Sequence, residues 1–94
     1  MFYHIVMFQF HDFNDAKGAK QKLEALVGDI PELISVAVGI DELQRSRSWD
    51  MVLETRFADQ QDYEVYATHP AHKVVLDWLK PKLKSAATVD YTVK

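Results

Sequence analysis

Between Phe2 and Phe10 apolar residues occupy both parities of the chain. Phe2, His4, Val6, Phe8 and Phe10 fall on one, and Tyr3, Ile5, Met7 and Gln9 on the other. Aromatic and β-branched enrichment predicts a strand. A strand apolar on both faces belongs at the centre of a sheet, covered by helices on one side and by something else on the other. His4 then sits on a buried face.

His11-Asp12-Phe13-Asn14 is a polar turn in which Asp12 or Asn14 can cap a helix. Ala16, Ala19, Leu23, Leu26 and Val27 follow at spacings of three and four, with Lys17, Lys20, Gln21, Lys22 and Glu24 on the far side. This predicts an amphipathic helix. Gly28 suits its C-terminal cap, and Pro31 prevents continuation. Leu33 to Leu43 contains Ile34, Val36, Val38 and Ile40 in alternation with small residues, and Trp49 to Phe57 alternates Trp49, Met51, Leu53, Thr55 and Phe57 against Asp50, Val52, Glu54 and Arg56. Two strands joined by the polar stretch Glu42 to Ser48 make a long hairpin.

Asp59 and Asp62 open a second helix through Tyr63 and Tyr66, and Pro70 restarts it at a first helical position. Val75, Leu76, Leu79 and Leu83 then recur at helical spacing, Pro81 ends or kinks the segment, and Thr88 to Val93 reads as a last strand.

The order strand, helix, strand, strand, helix, strand predicts a single domain over residues 1–94: an α+β, ferredoxin-like βαββαβ fold with a four-stranded antiparallel sheet. That topology pairs the last strand with the first, bringing Asp90 beside the strand of His4. Helices cover one face only. The other is apolar too, and a second copy buries it most simply, so we expect a homodimer through the open sheet face, a dimeric α+β barrel.

Composition narrows the function classes. With 48% hydrophobic and 12% aromatic residues the chain is globular, and with a net charge of −3 and scattered Lys and Arg it offers no stripe for phosphates, so no nucleic-acid partner is expected. The absence of cysteine excludes disulfides, thiolate metal sites and a cysteine nucleophile. No apolar run reaches membrane length and the first residues carry no basic leader, so a cytoplasmic protein with no membrane partner is expected.

Most of the chemistry titrating near neutral pH lies in Tyr66-Ala67-Thr68-His69-Pro70-Ala71-His72. Pro70 places His69 at the helix cap and His72 near the third helical position, at the positive end of the dipole. That field disfavours imidazolium. A neutral His72 can take a proton, and a carboxylate partner would help it. His69 reads as a cap, Tyr63 and Trp78 as core or interface, and Asp50 and Glu54 as solvated. A metal site from His4, His69 and His72 fits poorly, because a proline-started turn aims the last two apart. Ser46 and Ser48 have no neighbouring histidine to activate a nucleophile.

His4 in the first strand, Ile30-Pro31, Gly39, Ser48-Trp49-Asp50, Phe57, Tyr66 followed by His69-Pro70-Ala71-His72, and Val89-Asp90-Tyr91 together resemble the stress-responsive A/B-barrel domain family, across essentially the whole chain. The resemblance implies a dimeric α+β barrel. That family's best-understood enzymes are cofactor-free cyclases of poly-β-keto acids. Similarity to them implies catalytic roles for His72, His4, Tyr66 and Asp90, with no cofactor and a small hydrophobic or phenolic ligand. His72 would be the base, Asp90 would hold its tautomer, and Tyr66 and His4 would donate to an enolate oxygen. Those cyclases carry a pocket tyrosine in the first helix, and the matching position here is Leu23. A non-catalytic binding or structural homodimer and a cofactor-free monooxygenase are the alternative readings.

Overall fold

The computed structural model describes residues 1–94. Its elements are β1 (Phe2–Phe10), α1 (Asp15–Asp29), β2 (Ser35–Ile40), β3 (Met51–Phe57), α2 (Gln60–Ala67), α3 (Pro70–Leu79), a 3-10 turn (Lys80–Lys82) and β4 (Leu83–Thr92). The four strands form one antiparallel sheet in the order β2-β3-β1-β4, the ferredoxin-like topology. β1 is central, as its two-faced apolarity predicts.

The core lies between one face of this sheet and the helices. β1 contributes Phe2, Val6, Phe8 and Phe10, β3 contributes Met51, Leu53 and Phe57, and α1 contributes Ala16, Ala19, Leu23 and Leu26. Each large side chain removed from water there contributes about 1.5–3 kcal/mol. α3 closes the layer with Val75 and Leu79. Trp78 lies across α1, where a Cβ on Gly18 would stand 3.3 Å from its ring, and the Nζ atoms of Lys82 and Lys22 sit 4.3 and 5.1 Å from the indole centroid. Glycine at position 18 is what lets the two helices approach this closely.

Several boundaries differ from the sequence-based expectation, each for a local reason. Asn14 makes no side-chain cap; instead the Asp12 carboxylate accepts from the Asn14 N–H at 3.0 Å and the Asp12 carbonyl from the Asp15 N–H at 3.0 Å, so a turn feeds α1. Gly28 does not cap α1 but lies inside it; the helix ends when Ile30, fully buried and extended, anchors the chain ahead of Pro31. β2 is shorter than Leu33 to Leu43, and Trp49 and Asp50 precede β3. Asp50 is not merely solvated: its carboxylate accepts from the Phe10 N–H at 2.8 Å and its own N–H donates to the Phe8 carbonyl at 2.8 Å, closing the end of β1. β4 starts at Leu83 rather than Thr88, because the ladder to β1 continues to Phe10↔Leu83 and Ser85 Oγ bonds Gln9 Oε1 at 2.5 Å. Leu83 therefore leaves the helical pattern.

The opposite face of the sheet has no helices. Met7, Val89 and Tyr91 are exposed on it, Tyr3 stacks on Tyr91 with centroids 5.4 Å apart, and Arg56 lies 4.9 Å over the Tyr3 ring.

Candidate functional site

The β1 register puts His4 directly opposite Thr55 of β3 on one side and Asp90 of β4 on the other, so all three point to the helix-covered face. Thr55 is fully buried and its hydroxyl donates to the His4 carbonyl at 2.9 Å, fixing the backbone beneath the imidazole. Asp90 takes the ring itself. Its Oδ1 accepts from His4 Nδ1–H at 2.5 Å, with the His4 side chain 12% and the Asp90 side chain 39% exposed. A hydrogen bond from a ring N–H to a carboxylate is of the charge-assisted kind. His4 Nε2 makes no hydrogen bond within the chain.

α2 and α3 form the other wall. Asp59 caps α2 by accepting the Asp62 N–H at 2.9 Å, and that start sets the phase that turns Tyr66 inward. Tyr66 is among the most deeply buried side chains, packed on Phe57 at 5.1 Å between centroids, on His72 at 4.2 Å and towards His4 at 6.4 Å. Burial, then the neighbouring Tyr63, pushes its phenol well above the ordinary value of 10.0, so it stays protonated. At Thr68 the helix breaks, and His69 caps α3 through Nδ1, which accepts the Ala71 N–H at 3.0 Å, with Pro70 in the first turn.

His72 follows one turn later. Its Nδ1 lies 3.1 Å from the Ala67 carbonyl, which can only accept, so Nδ1 carries the proton and Nε2 keeps the lone pair. Burial foremost holds His72 below its ordinary value of 6.5; the Ala67 bond works against this, while charge on His4, Lys80 and His69 adds to it. The result is a neutral imidazole of defined tautomer beside a neutral phenol.

All four expected residues thus gather around one aromatic cluster, with one rearrangement. Asp90 does not hold His72. It pairs with His4, because the two face each other across the β1–β4 ladder, and the carbonyl of Ala67 holds His72 instead. The sequence reading missed Thr55, Tyr63 and the Ala67 carbonyl. Tyr63 packs 4.7 Å from His4 and 6.2 Å from Tyr66, and its place three residues before Tyr66 was the available signal. No group of three or more His, Asp or Glu side chains is placed to hold a metal ion. Two cavities lie away from this cluster: one of about 550 Å³ between the open sheet face and the β2–β3 loop, lined by Met7, Trp49 and Val52 among others, and one of about 450 Å³ between α1 and α3 beside Trp78.

A four-stranded antiparallel sheet backed by three helices, with two imidazoles meeting at a buried phenol, defines an α+β protein of the ferredoxin-like class. The chain belongs to the stress responsive A/B barrel domain (Dabb) family, whose model matches residues 2–93. Among solved structures it is similar to a dimeric ferredoxin-like protein of unknown function from Bacteroides fragilis, at 28% identity and a TM-score of 0.88, with 98% of this chain and 95% of that one covered. It is also similar to the hydroxynitrile lyase of Passiflora edulis, at 15% identity and a TM-score of 0.85, covering 99% and 93% of the two chains. An antibiotic biosynthesis monooxygenase shares 9% identity at a TM-score of 0.80, with 100% and 99% covered. At these last two identities the likeness is one of fold. No curated protein matches the sequence. No helix is long and apolar enough to cross a membrane.

Proposed function

We propose that this protein is a cofactor-free acid–base catalyst, a lyase or cyclase acting on a small β-dicarbonyl or phenolic molecule, and that it works as a cytoplasmic homodimer. The observation that carries this reading is the His72 Nδ1–Ala67 carbonyl bond, which supports a neutral imidazole whose Nε2 lone pair has no hydrogen-bond partner in the chain. His72 Nε2 takes the acidic proton from a carbon between two carbonyls, and the charge moves to an oxygen as an enolate. Tyr66, kept protonated by burial, donates to that oxygen, as does His4 when its Nε2 carries a proton, with Asp90 fixing the ring through Nδ1. In a cyclase the enolate carbon then adds to a second carbonyl of the same molecule, and the oxygen of that carbonyl takes the proton back from the His72 imidazolium. A lyase among the proteins of like fold is consistent with such chemistry on this scaffold.

The test is exchange of the acidic C–H for deuterium, and turnover, across a panel of β-keto acids, phenolic acids and quinols, with melting temperature recorded alongside. A ligand at about 100 times its dissociation constant adds about 2.7 kcal/mol and registers as a clear shift. His72→Ala should abolish exchange and turnover at temperatures where the variant is still folded; turnover equal to wild type sinks the assignment. Oxygen uptake with a quinol would instead mark a monooxygenase.

A second reading, a non-catalytic binding or structural homodimer, draws on the same bond, which ties the end of α2 to the start of α3, and on the two cavities lying away from the histidines. Under it, no compound turns over, and His72→Ala costs roughly 1–3 kcal/mol for the orphaned carbonyl. Both readings use the homodimer. The exposed Met7, Val89 and Tyr91 on the open face, with the dimeric state of the B. fragilis protein, support it. Light scattering at micromolar concentration should return the mass of two chains.

A further inference from the structure

The ring of His4 has few restraints of its own. Thr55 bonds the His4 carbonyl, not its imidazole, so Asp90 is the only hydrogen-bond partner that orients the ring. Rotation about the terminal torsion of a histidine is broad and roughly two-fold. Asp90 is also half-open to water, which competes for the carboxylate. The His4 side chain is nevertheless largely shielded from water, so packing as well as Asp90 sets the plane of the imidazole.

Tyr63 has the geometry to do it. Its ring centroid stands 4.7 Å from that of His4 at a tilt of 43°, against 6.4 Å for Tyr66. The Tyr63 ring is itself wedged, by Phe2 at 5.4 Å and Phe57 at 5.6 Å. Its backbone N–H donates to the Asp59 carbonyl at 3.3 Å, in the turn that Asp59 also caps, so the side chain leaves α2 from a fixed point. It is only half-buried and its hydroxyl makes no hydrogen bond within the chain, so the ring, not the hydroxyl, makes its contacts. Burial foremost, then the charges of Asp90 and Glu64, raise its phenol above the ordinary 10.0, so Tyr63 stays protonated near neutral pH.

We propose that Tyr63 is a positioning residue for His4: its ring packs against the imidazole and holds it on the Asp90 carboxylate, keeping water from the bond. This deepens the acid–base reading of the site and rests on it for its functional meaning. The ring does the work, so phenylalanine can replace it and an aliphatic side chain cannot.

The experiment is NMR of the full chain with ¹⁵N-labelled histidine, read without any substrate. In the wild type the His4 Nδ1 proton should give a low-field signal, assigned by its disappearance in His4→Gln. Tyr63→Phe should keep that signal, and Tyr63→Leu should lose it and average the His4 ring nitrogens between tautomers, while His72 keeps its Nδ1-protonated pattern. A His4 signal unchanged in Tyr63→Leu overturns the proposal. Should Tyr63→Leu fail to fold, the wild type still decides: cross-relaxation between the Tyr63 ring protons and the His4 ring supports the contact, and its absence overturns it. Because turnover is nowhere required, a protein that converts no compound can still return the expected His4 result, which separates failure of the catalytic reading from failure of this one.

Discussion

His4 and His72 converge on the same tyrosine, yet the sheet wall and the helix wall of the site hold their imidazoles by opposite means. His4 is bonded by a charged side chain from a neighbouring strand, eighty-six positions away and partly open to water. His72 is bonded by a neutral backbone carbonyl five positions away, within the break between α2 and α3. A single substitution can remove the first acceptor. None can remove the second, since every residue at position 67 brings a carbonyl. The histidine read as the base is thus the one whose tautomer is insulated from side-chain change, and its bond adds no charge to the site.

The largest effect should come from removing what both walls share. Tyr66→Ala empties a fully buried ring site between Phe57 and His72 and should cost about 3–5 kcal/mol in urea denaturation. Tyr66→Phe, which keeps the ring and drops a hydroxyl without a partner in the chain, should cost less than about 1 kcal/mol. A loss as large in Phe as in Ala would mean the hydroxyl, not the ring, joins the walls.

Breaking the sheet wall alone comes next. Asp90→Ala leaves the His4 Nδ1–H without its acceptor; with the carboxylate partly solvated, about 1–2 kcal/mol is expected. The His72 ring should keep its tautomer in the same variant, as read by ¹⁵N shifts. A change at His72 would show that Asp90 serves both histidines.

The helix wall should answer more weakly. His69→Ala removes the side-chain cap on Ala71 N–H and should cost about 1 kcal/mol, close to other lost N-caps. Turnover, where found, should fall as His72 is displaced with the first turn of α3.

Smallest is the response to pH. Because His72 titrates lower in the folded chain than its ordinary 6.5, the unfolded chain takes up the proton first as pH falls. Its contribution to stability is therefore complete above about 6.5 and is lost as pH drops through the window between that value and the lower folded one. Denaturation midpoints of wild type and His72→Gln should run parallel above this window and draw together within it. At the alkaline end the sign reverses: Tyr66 titrates higher when folded, so its contribution is full below 10.0 and declines above it, and Tyr66→Phe should flatten that decline.

How much of this was legible beforehand varies by element. The two-faced pattern of Phe2 to Phe10 announced a central strand, and His69-Pro70 announced a capped helix start, because steric and capping preferences act within a few residues. The pairing of the last strand with the first followed from topology, and it correctly brought Asp90 to the strand of His4. The same aspartate was nonetheless expected to hold His72. The true acceptor, the Ala67 carbonyl, belongs to a backbone group present at every position and leaves no mark in residue identity. Asp50 was likewise misread because its value lies in meeting the end of β1, a partner forty residues away.

By itself, then, the chain determined its elements, their order and the residue types available for chemistry, since periodicity, proline placement and caps are local properties. Only the tertiary structure decided which acceptor each imidazole meets, how far β4 runs along β1, and that Tyr63 faces His4. Those outcomes depend on strand register and on the angle at which α2 leaves β3, and a slip of one residue in a strand's register would send its side chains to the opposite face.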